Sequence, residues 1–535
     1  MTVSSSPSIE SPRLLHDLCA AAAQRWPQSA ALVDARGQLS FSQLHQQVGQ
    51  FAKGLSALGV KRGQRVAVYL DKRIETVVAC LGATAAGAVM VPINPVLKPA
   101  QVAHVLQDCG AVLLVSSASR CSVLEGWTGA GLRHLVLVDG GLAQSAELAM
   151  HDWADLMAQP AAAPELPILI DADLAAILYT SGSTGKPKGV MLSHRNLVAG
   201  AQSVASYLGN TEQDCLLAAL PLSFDAGFSQ LTTALCSGAR LVLLNWLFAR
   251  DVLAAMAQHG VTGLTAVPPL FMQLAALPWP DEALRTLRYL ANTGGRMPLE
   301  TLQRLQQRAP AAQVYLMYGL TEAFRSTYLP PQELARRPDS MGRAIPNAEV
   351  LVLRPDGTPC DADEPGELVH RGALVALGYW RDAARTAERF RPLPPQALPE
   401  HDARPLPEIA VFSGDTVRRD AEGFLYFVAR SDEMIKTSGY RVSPTEVEEV
   451  LYATGLVQEC VAFGVADAQL GQRIQVVAAA PAAQSLDVAA LMNACRQQLP
   501  SYMLPAHVHV LPAPLPRNAN GKLDRAALRA QFQAD

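Results

Sequence analysis

Hydrophobic and polar positions along the chain follow two periods. Short apolar runs at 65–70, 89–92, 111–115 and 174–178 read as buried strands. Between and before them, apolar residues recur every three or four positions over 14–25, 42–58, 74–86 and 99–108, which reads as helix, with Gly59 ending the second. A strand pair is expected at 30–33 and 38–40. Strands alternating with helices imply a parallel α/β sheet, whose ligands sit at the carboxyl ends of its strands. The pattern continues with strands at 217–221, 241–244, 263–267, 289–292 and 314–318, and helices at 195–208, capped by Ser193, and from Leu270 onward. From about residue 340 the style changes. Short strands at 343–353, 366–371 and 424–428 predict a β-rich subdomain, and the proline-rich piece 391–407 reads as an exposed insertion. Beyond it, helices at 444–453 and 487–498 and strands at 459–465 and 473–479 predict a small α+β domain. The expected division is 1–431 and 432–535. Residues 1–12 read as loose and 157–167 as a surface connection.

At 535 residues the chain exceeds one typical domain, and half of it is apolar. Its 44 basic and 48 acidic residues give a net charge of −4, so electrostatics supply no reason to expect nucleic acid. Nine cysteines without close pairing read as reduced thiols in a cytoplasmic protein, and the first residues lack a signal peptide's basic start and apolar core. Residues 76–97 carry no charge, but Gly82, Gly87, Pro92, Asn94 and Pro95 interrupt them, so they read as a buried helix and strand rather than a membrane span.

Candidate chemistry concentrates in YTSGSTGKPKG, residues 179–189, directly after a buried strand. Glycines let backbone approach a ligand, and hydroxyls, backbone N–H groups and lysines suit phosphate oxygens. A flexible surface turn is the plainer alternative. The loop is no Walker motif, because Gly182 and Gly185 are too close and Pro187 follows Lys186. Thr293-Gly294-Gly295-Arg296 follows another strand and permits close approach to a flat ligand. Asp225, after Phe224, either caps a helix starting at Gly227 or faces a substrate. His194 reads as a partner in the helix cap rather than a catalyst.

The 179–189 string resembles the signature loop of the adenylate-forming superfamily of acyl-CoA synthetases, peptide-synthetase adenylation domains and luciferases. Four further segments match that family in order: YGLTE at 318–322, GELVHRG with GYW over 366–380, SGDTVRRDAEGFLYFVARSDEMIK at 413–436, and PRNANGKLDR at 516–525. The resemblance implies an α/β fold: a large N-terminal AMP-binding domain of stacked α/β sheets with a β-rich subdomain, and a small mobile α+β C-terminal domain. It also implies roles. Thr180, Ser181, Gly182, Ser183, Thr184, Gly185 and Lys188 would grip the β- and γ-phosphates of ATP. Thr321, beside Gly319, would contact the α-phosphate, and Glu322 would hold Mg²⁺, the alternative being a solvated acid at a helix start. Gly294, Gly295, Arg296 and Tyr318 would enclose adenine, although Tyr318 also suits a core. Asp415 would accept the ribose hydroxyls, and Arg430 would assist it, after Ala429 where the family has glycine. Lys522 would be the catalytic lysine and Asp432 the hinge. Gly439 would line the thiol tunnel and Arg441 would meet phosphate. Phe224, Asp225, Val267, Asn292 and Leu320 would border the substrate.

The implied activity is that of an AMP-forming acid–thiol ligase. It would join a small carboxylic acid to AMP, then pass the acyl group to CoA. The alternative is a stand-alone amino-acid-activating enzyme that loads the phosphopantetheine of a separate carrier protein, since adenylation domains place an aspartate in a similar Phe-Asp motif. A non-catalytic nucleotide-binding descendant is a third class. PLSFDAGFSQL also resembles exosortase-associated acyl-CoA ligases.

Overall fold

The computed structural model describes residues 11–532, apart from 98, 123–130, 141–147, 159–164, 181–186, 400–404, 431–434, 438–439, 468–469, 482–484, 500–502 and 519–520. The strand–helix alternation resolves into two mixed sheets. One has eight strands, in the order Gly378–Tyr379, Lys188–Ser193, Leu174–Thr180, Val89–Pro92, Arg65–Tyr69, Ala111–Ser116, His134–Leu137 and Ala149–Asp152. The other has nine and contains Cys215–Ala218, Gly263–Ala266, Tyr289–Asn292 and Gln313–Tyr318 side by side and mostly parallel. Strands buried on both faces are near-continuous apolar runs, as over Ala111–Val115, with Ser116 donating its hydroxyl to Tyr69 O. One core cluster spans both sheets, joining Leu32 and Leu241 of the second to Val66 and Met90 of the first through helix residues such as Phe41, Phe51 and Val77.

Local signals set the helix ends. Ser40 Oγ accepts from Gln43 N while the Gln43 side chain accepts from Ser40 N, so the helix is Phe41–Ala57 rather than 42–58. The uncharged stretch becomes helix Ile74–Ala85, buried throughout Thr76–Thr84, and strand Val89–Pro92. No helix among the described residues is long and apolar enough to cross a membrane.

The β-rich subdomain is an antiparallel sheet of Ala348–Leu353, Gly366–Gly372, Ile409–Arg419, Phe390–Pro392 and Leu425–Arg430. Two expectations change here. Arg343–Ala344 joins the edge of the nine-stranded sheet. The proline-rich piece is not wholly an exposed insertion: Phe390–Pro392 pairs with Ile409–Arg419, and Leu393 and Ala397 bury against Leu351, Val369 and Phe412. Proline is tolerated there because the strand lies at a sheet edge.

The C-terminal region has its own sheet, built on the pair Glu459–Asp467 and Gly471–Ala479, with His507–Val510 alongside. Helices Pro444–Ala453 and Val488–Gln498 share a core with it, around Val447, Leu451, Val476 and Leu491. The expected boundary between 431 and 432 lies outside the described residues.

Candidate active site

The signature loop joins two antiparallel strands, with Thr180 opposite Lys188 and Tyr179 opposite Gly189. Ser181, Gly182, Ser183, Thr184 and Gly185 lie outside the described residues, and only the two ends, Thr180 and Lys188, are placed. Both open into a cavity of about 3280 Å³ between the two large sheets and the C-terminal region.

At one end, Lys188 Nζ donates to Glu322 Oε1 at 2.9 Å and to Tyr379 Oη at 2.8 Å. Tyr379 Oη in turn donates to Glu322 Oε1 at 2.6 Å. Burial alone would push the Glu322 carboxyl up. The Lys188 charge and the two hydrogen bonds outweigh it and hold Glu322 below the usual carboxylate range, so it stays ionised. Glu322 is thus an ionised carboxylate paired with Lys188 and Tyr379 rather than a solvated acid at a helix start. No cluster of three or more metal-ligating side chains occurs among the described residues. A single half-buried carboxylate fits Mg²⁺, which is commonly held by one or two carboxylates with phosphates and water. Thr321, next to Glu322, is buried on the cavity wall.

Tyr318 ends its strand with its ring parallel to that of His370, the planes 15° apart, and its hydroxyl donates to Asp415 Oδ2. Burial pushes His370 down to about 3, so the ring beneath Tyr318 is neutral at ordinary pH. The pair places an aromatic face beside a carboxylate with two acceptor oxygens, a suitable seat for adenine and a ribose diol. Arg430 pairs through its backbone with Asp415. Gly294 adopts φ +76°, and a Cβ there would meet Val267 Cγ1 at 3.1 Å and Lys522 Cε at 3.3 Å. The left-handed φ is what calls for glycine here. Arg296 reaches across to ion-pair with Glu449 on helix Pro444–Ala453.

Lys522 thus arrives from the far side. Its loop is closed by Lys522 N donating to Asn518 Oδ1 at 3.1 Å and Asn518 N donating to Lys522 O at 2.8 Å. Arg517 anchors the loop by pairing with the buried Glu459. Lys522 Nζ lies 5.9 Å from the centre of the Phe224 ring.

Asp225 is the first residue of helix Asp225–Ser237, whose N-cap is Phe224 and has no side-chain cap bond. It therefore does not cap a helix at Gly227. It is 5 % exposed on the cavity wall, and Oδ1 has no hydrogen-bond partner among the described residues. Burial raises its carboxyl, opposed by the charges of Arg325 and Lys522. Ser223 Oγ and Asn292 Oδ1 are likewise buried and unpartnered among the described residues. Val267 packs with Phe224, and Leu320 and Gly319 line the same cavity.

Thr180, Lys188, Glu322, Tyr318, Asp415, Gly294, Asp225 and Lys522 are thus brought to one cavity. Gly295, Val267 and Asn292 border it too. Gly439 and Asp432 lie outside the described residues, and Arg441 is placed only by its backbone, opposite Lys436. His194 is buried, and its Nδ1 accepts from Leu15 N at 3.0 Å, away from the cavity. Two participants escaped sequence reading. Tyr379 was read only as part of a structural motif. Arg325, 3 % exposed, donates to Thr293 Oγ1 at 2.8 Å behind the glycine pair. The Gly-Tyr-Trp string was the one available signal for the first.

The ends of the signature strands, the Tyr318–Asp415 pair, Glu322 with Lys188, and Lys522 from the C-terminal region thus face one cavity. The AMP-binding enzyme pattern matches residues 19–380, and the AMP-binding enzyme C-terminal domain pattern matches 446–522. The chain is 31% identical over 530 residues to an L-proline–[L-prolyl-carrier protein] ligase of Pseudomonas fluorescens, covering 97% of this chain and 100% of that one. It is 31% identical over 518 residues to a sulfoacetate–CoA ligase of Cupriavidus necator, covering 96% of each. A solved o-succinylbenzoate CoA synthetase from Bacillus subtilis, in complex with its acyl-adenylate intermediate, superposes with a TM-score of 0.80 at 27% identity, covering 96% of this chain and 97% of that one. The chain belongs to the AMP-binding enzyme family, and its activity is that of an ATP-dependent, AMP-forming acid–thiol ligase. The finer likeness to exosortase-associated ligases is not among what these similarities show.

Proposed function

We propose that the enzyme activates a small carboxylic acid on ATP and transfers it to CoA, with residues 1–431 holding the nucleotide and a mobile unit, 432–535, bringing Lys522. The observation that carries this reading is Lys522 lying over Gly294 and facing Phe224, between the nucleotide seat and the acid pocket. In the first step a carboxylate oxygen forms a bond to the α-phosphorus, and the bond from that phosphorus to the bridging oxygen breaks, releasing pyrophosphate. Two anions must meet, so catalysis is chiefly positioning and charge neutralisation. The Lys522 ammonium bridges the attacking carboxylate and α-phosphate. Lys188 and the signature-loop hydroxyls hold the outer phosphates, Thr321 the α-phosphate, and Asp415 with Arg430 the ribose. Glu322 holds Mg²⁺, which supplies charge neutralisation at the phosphates. In the second step a thiolate attacks the acyl carbon and AMP leaves. Asp432 serves as hinge for the change of closure, Gly439 lines the thiol path, and Arg441 meets phosphate. Nine cysteines, all free, support a reducing cytoplasmic setting.

The test is incubation with ATP, Mg²⁺, CoA and a panel of aliphatic, aryl and amino acids. The expected result is acyl-CoA with AMP and pyrophosphate in equal amounts for a subset of acids. ADP in place of AMP, or AMP released with no thioester to any thiol acceptor, overturns the reading.

Asp225 supports a second reading, in which the acid is an amino acid and the acceptor a carrier-protein phosphopantetheine. A buried carboxylate whose Oδ1 has no partner among the described residues is suited to pair with a substrate ammonium.

A further inference from the structure

Tyr379 is the point where three distant segments meet. Its hydroxyl accepts from the signature-loop lysine and donates to the glutamate of YGLTE. Lys188 Nζ also lies 4.2 Å from the centre of the Tyr379 ring. Both hydrogen bonds to the Glu322 side chain end on Oε1, leaving Oε2 outside this pairing.

The tyrosine is itself held on every side. Strand Gly378–Tyr379 pairs with Lys188–Ser193, so Tyr379 sits opposite Val190. Its N–H donates to Thr386 Oγ1 at 3.0 Å, and its ring meets Phe390 edge-on, the centroids 5.5 Å apart. The ring is 3 % exposed. A hydroxyl fixed this rigidly determines where a mobile carboxylate rests.

We propose that Tyr379 is a positioning residue for the metal–nucleotide site. Its hydroxyl pins Glu322 Oε1 and so presents Oε2 to the divalent cation. It also keeps Glu322 in place when Lys188 moves from the carboxylate to the incoming phosphates. In the ligand-free enzyme Lys188 neutralises Glu322. When the nucleotide draws Lys188 away, the cation takes over that neutralisation, and Tyr379 supplies a side-chain hydrogen bond common to both states.

The inference rests on the assignment of Glu322 to Mg²⁺. The experiment is titration of Mn²⁺ with ATP into the full-length parent and Tyr379→Phe proteins, followed by electron paramagnetic resonance, beside the Mg²⁺ dependence of pyrophosphate exchange. Tyr379→Phe is expected to weaken Mn²⁺ binding in the presence of ATP about tenfold, and exchange is expected to recover toward parental rates as Mg²⁺ is raised. Loss of fold alone would give no rescue by Mg²⁺, and thermal unfolding of the two proteins checks it. Equal Mn²⁺ affinity in the two proteins overturns the role of Tyr379, as does a loss of exchange that Mg²⁺ does not rescue. Failure of the parent to bind Mn²⁺ with ATP instead overturns the Glu322 assignment.

Discussion

The two halves of the cavity obey opposite rules. On the nucleotide side, polar side chains are paired before any ligand arrives: Lys188 with Glu322, Tyr379 with both, and Tyr318 with Asp415. On the acid side, Ser223 Oγ, Asp225 Oδ1 and Asn292 Oδ1 are buried with no partner among the described residues. Thr180 Oγ1, at the edge of the undescribed loop, and His370 Nε2, beneath Tyr318, are exceptions on the first side. An unpaired buried polar group costs about 1–3 kcal/mol, which is sustained where a ligand supplies the missing partner. Pairing fixes the geometry of one unchanging reaction. The unpaired atoms leave the choice of acid to the ligand. Asn292 sharpens the point: its Nδ2 donates to Gly295 O at 2.8 Å, which leaves Oδ1 as an acceptor with no partner among the described residues. With Asp225, the pocket offers acceptors, and acids carrying hydrogen-bond donors near the carboxylate match it.

The largest effect should come from the residue that serves both halves. Lys522→Ala is expected to slow acyl-adenylate formation by about 10²- to 10³-fold, while a supplied acyl-adenylate is still converted to thioester near the parental rate. Equal loss in both steps, measured by quenched single turnovers, would show that Lys522 does more than unite carboxylate and phosphate. Next is Asp225→Ala. If the acid half selects by its unpaired acceptors, acids bearing an ammonium or hydroxyl near the carboxylate lose about 10- to 100-fold in kcat/KM, and plain acids lose little. A uniform loss across the panel contradicts that selection.

Smaller still is Tyr318→Phe, which keeps the ring and removes the hydrogen bond to Asp415. KM for ATP is expected to rise by about tenfold or less, with the acid preference unchanged. A changed acid preference would mean that the two halves are not separable.

His194 shows what a satisfied buried polar side chain looks like, and it gives the mildest test. Burial lowers it to about 4, from an ordinary 6.5. Between those values the unfolded chain takes up a proton that the folded chain refuses. Stability therefore falls as pH drops from 6.5 to 4, by about 3 kcal/mol, and no further from this group below that. His194→Asn, which keeps an acceptor for Leu15 N, should flatten the fall in unfolding midpoint over that range without altering the panel of acids used.

These contrasts also mark what spacing along a chain can reveal. Lys188, Glu322 and Lys522 were legible because each lies in a short string whose composition suits one chemistry, and the cavity brings them together. Burial periodicity placed the strands feeding that cavity to within a few residues, as at Val89–Pro92 and Tyr289–Asn292. The Tyr379 pairing was not legible, because 191 residues separate it from Lys188 and only the sheet register makes them neighbours. Asp225 was open between cap and ligand because both need an acid at a helix start, and the helix beginning at Asp225 itself excludes only the cap at Gly227. The 391–407 piece misled because prolines mark loops and edge strands alike, and its partner strand begins only at Ile409.

The central claim is that a prepaired nucleotide seat and an unpaired acid pocket meet at one phosphorus. Exchange of labelled pyrophosphate into ATP, run with Mg²⁺ and each acid in turn and without CoA, tests it most directly. The account predicts exchange that depends strictly on the acid and is strongest for acids carrying hydrogen-bond donors. Exchange at the same rate with no acid present, or none with any acid, would contradict it.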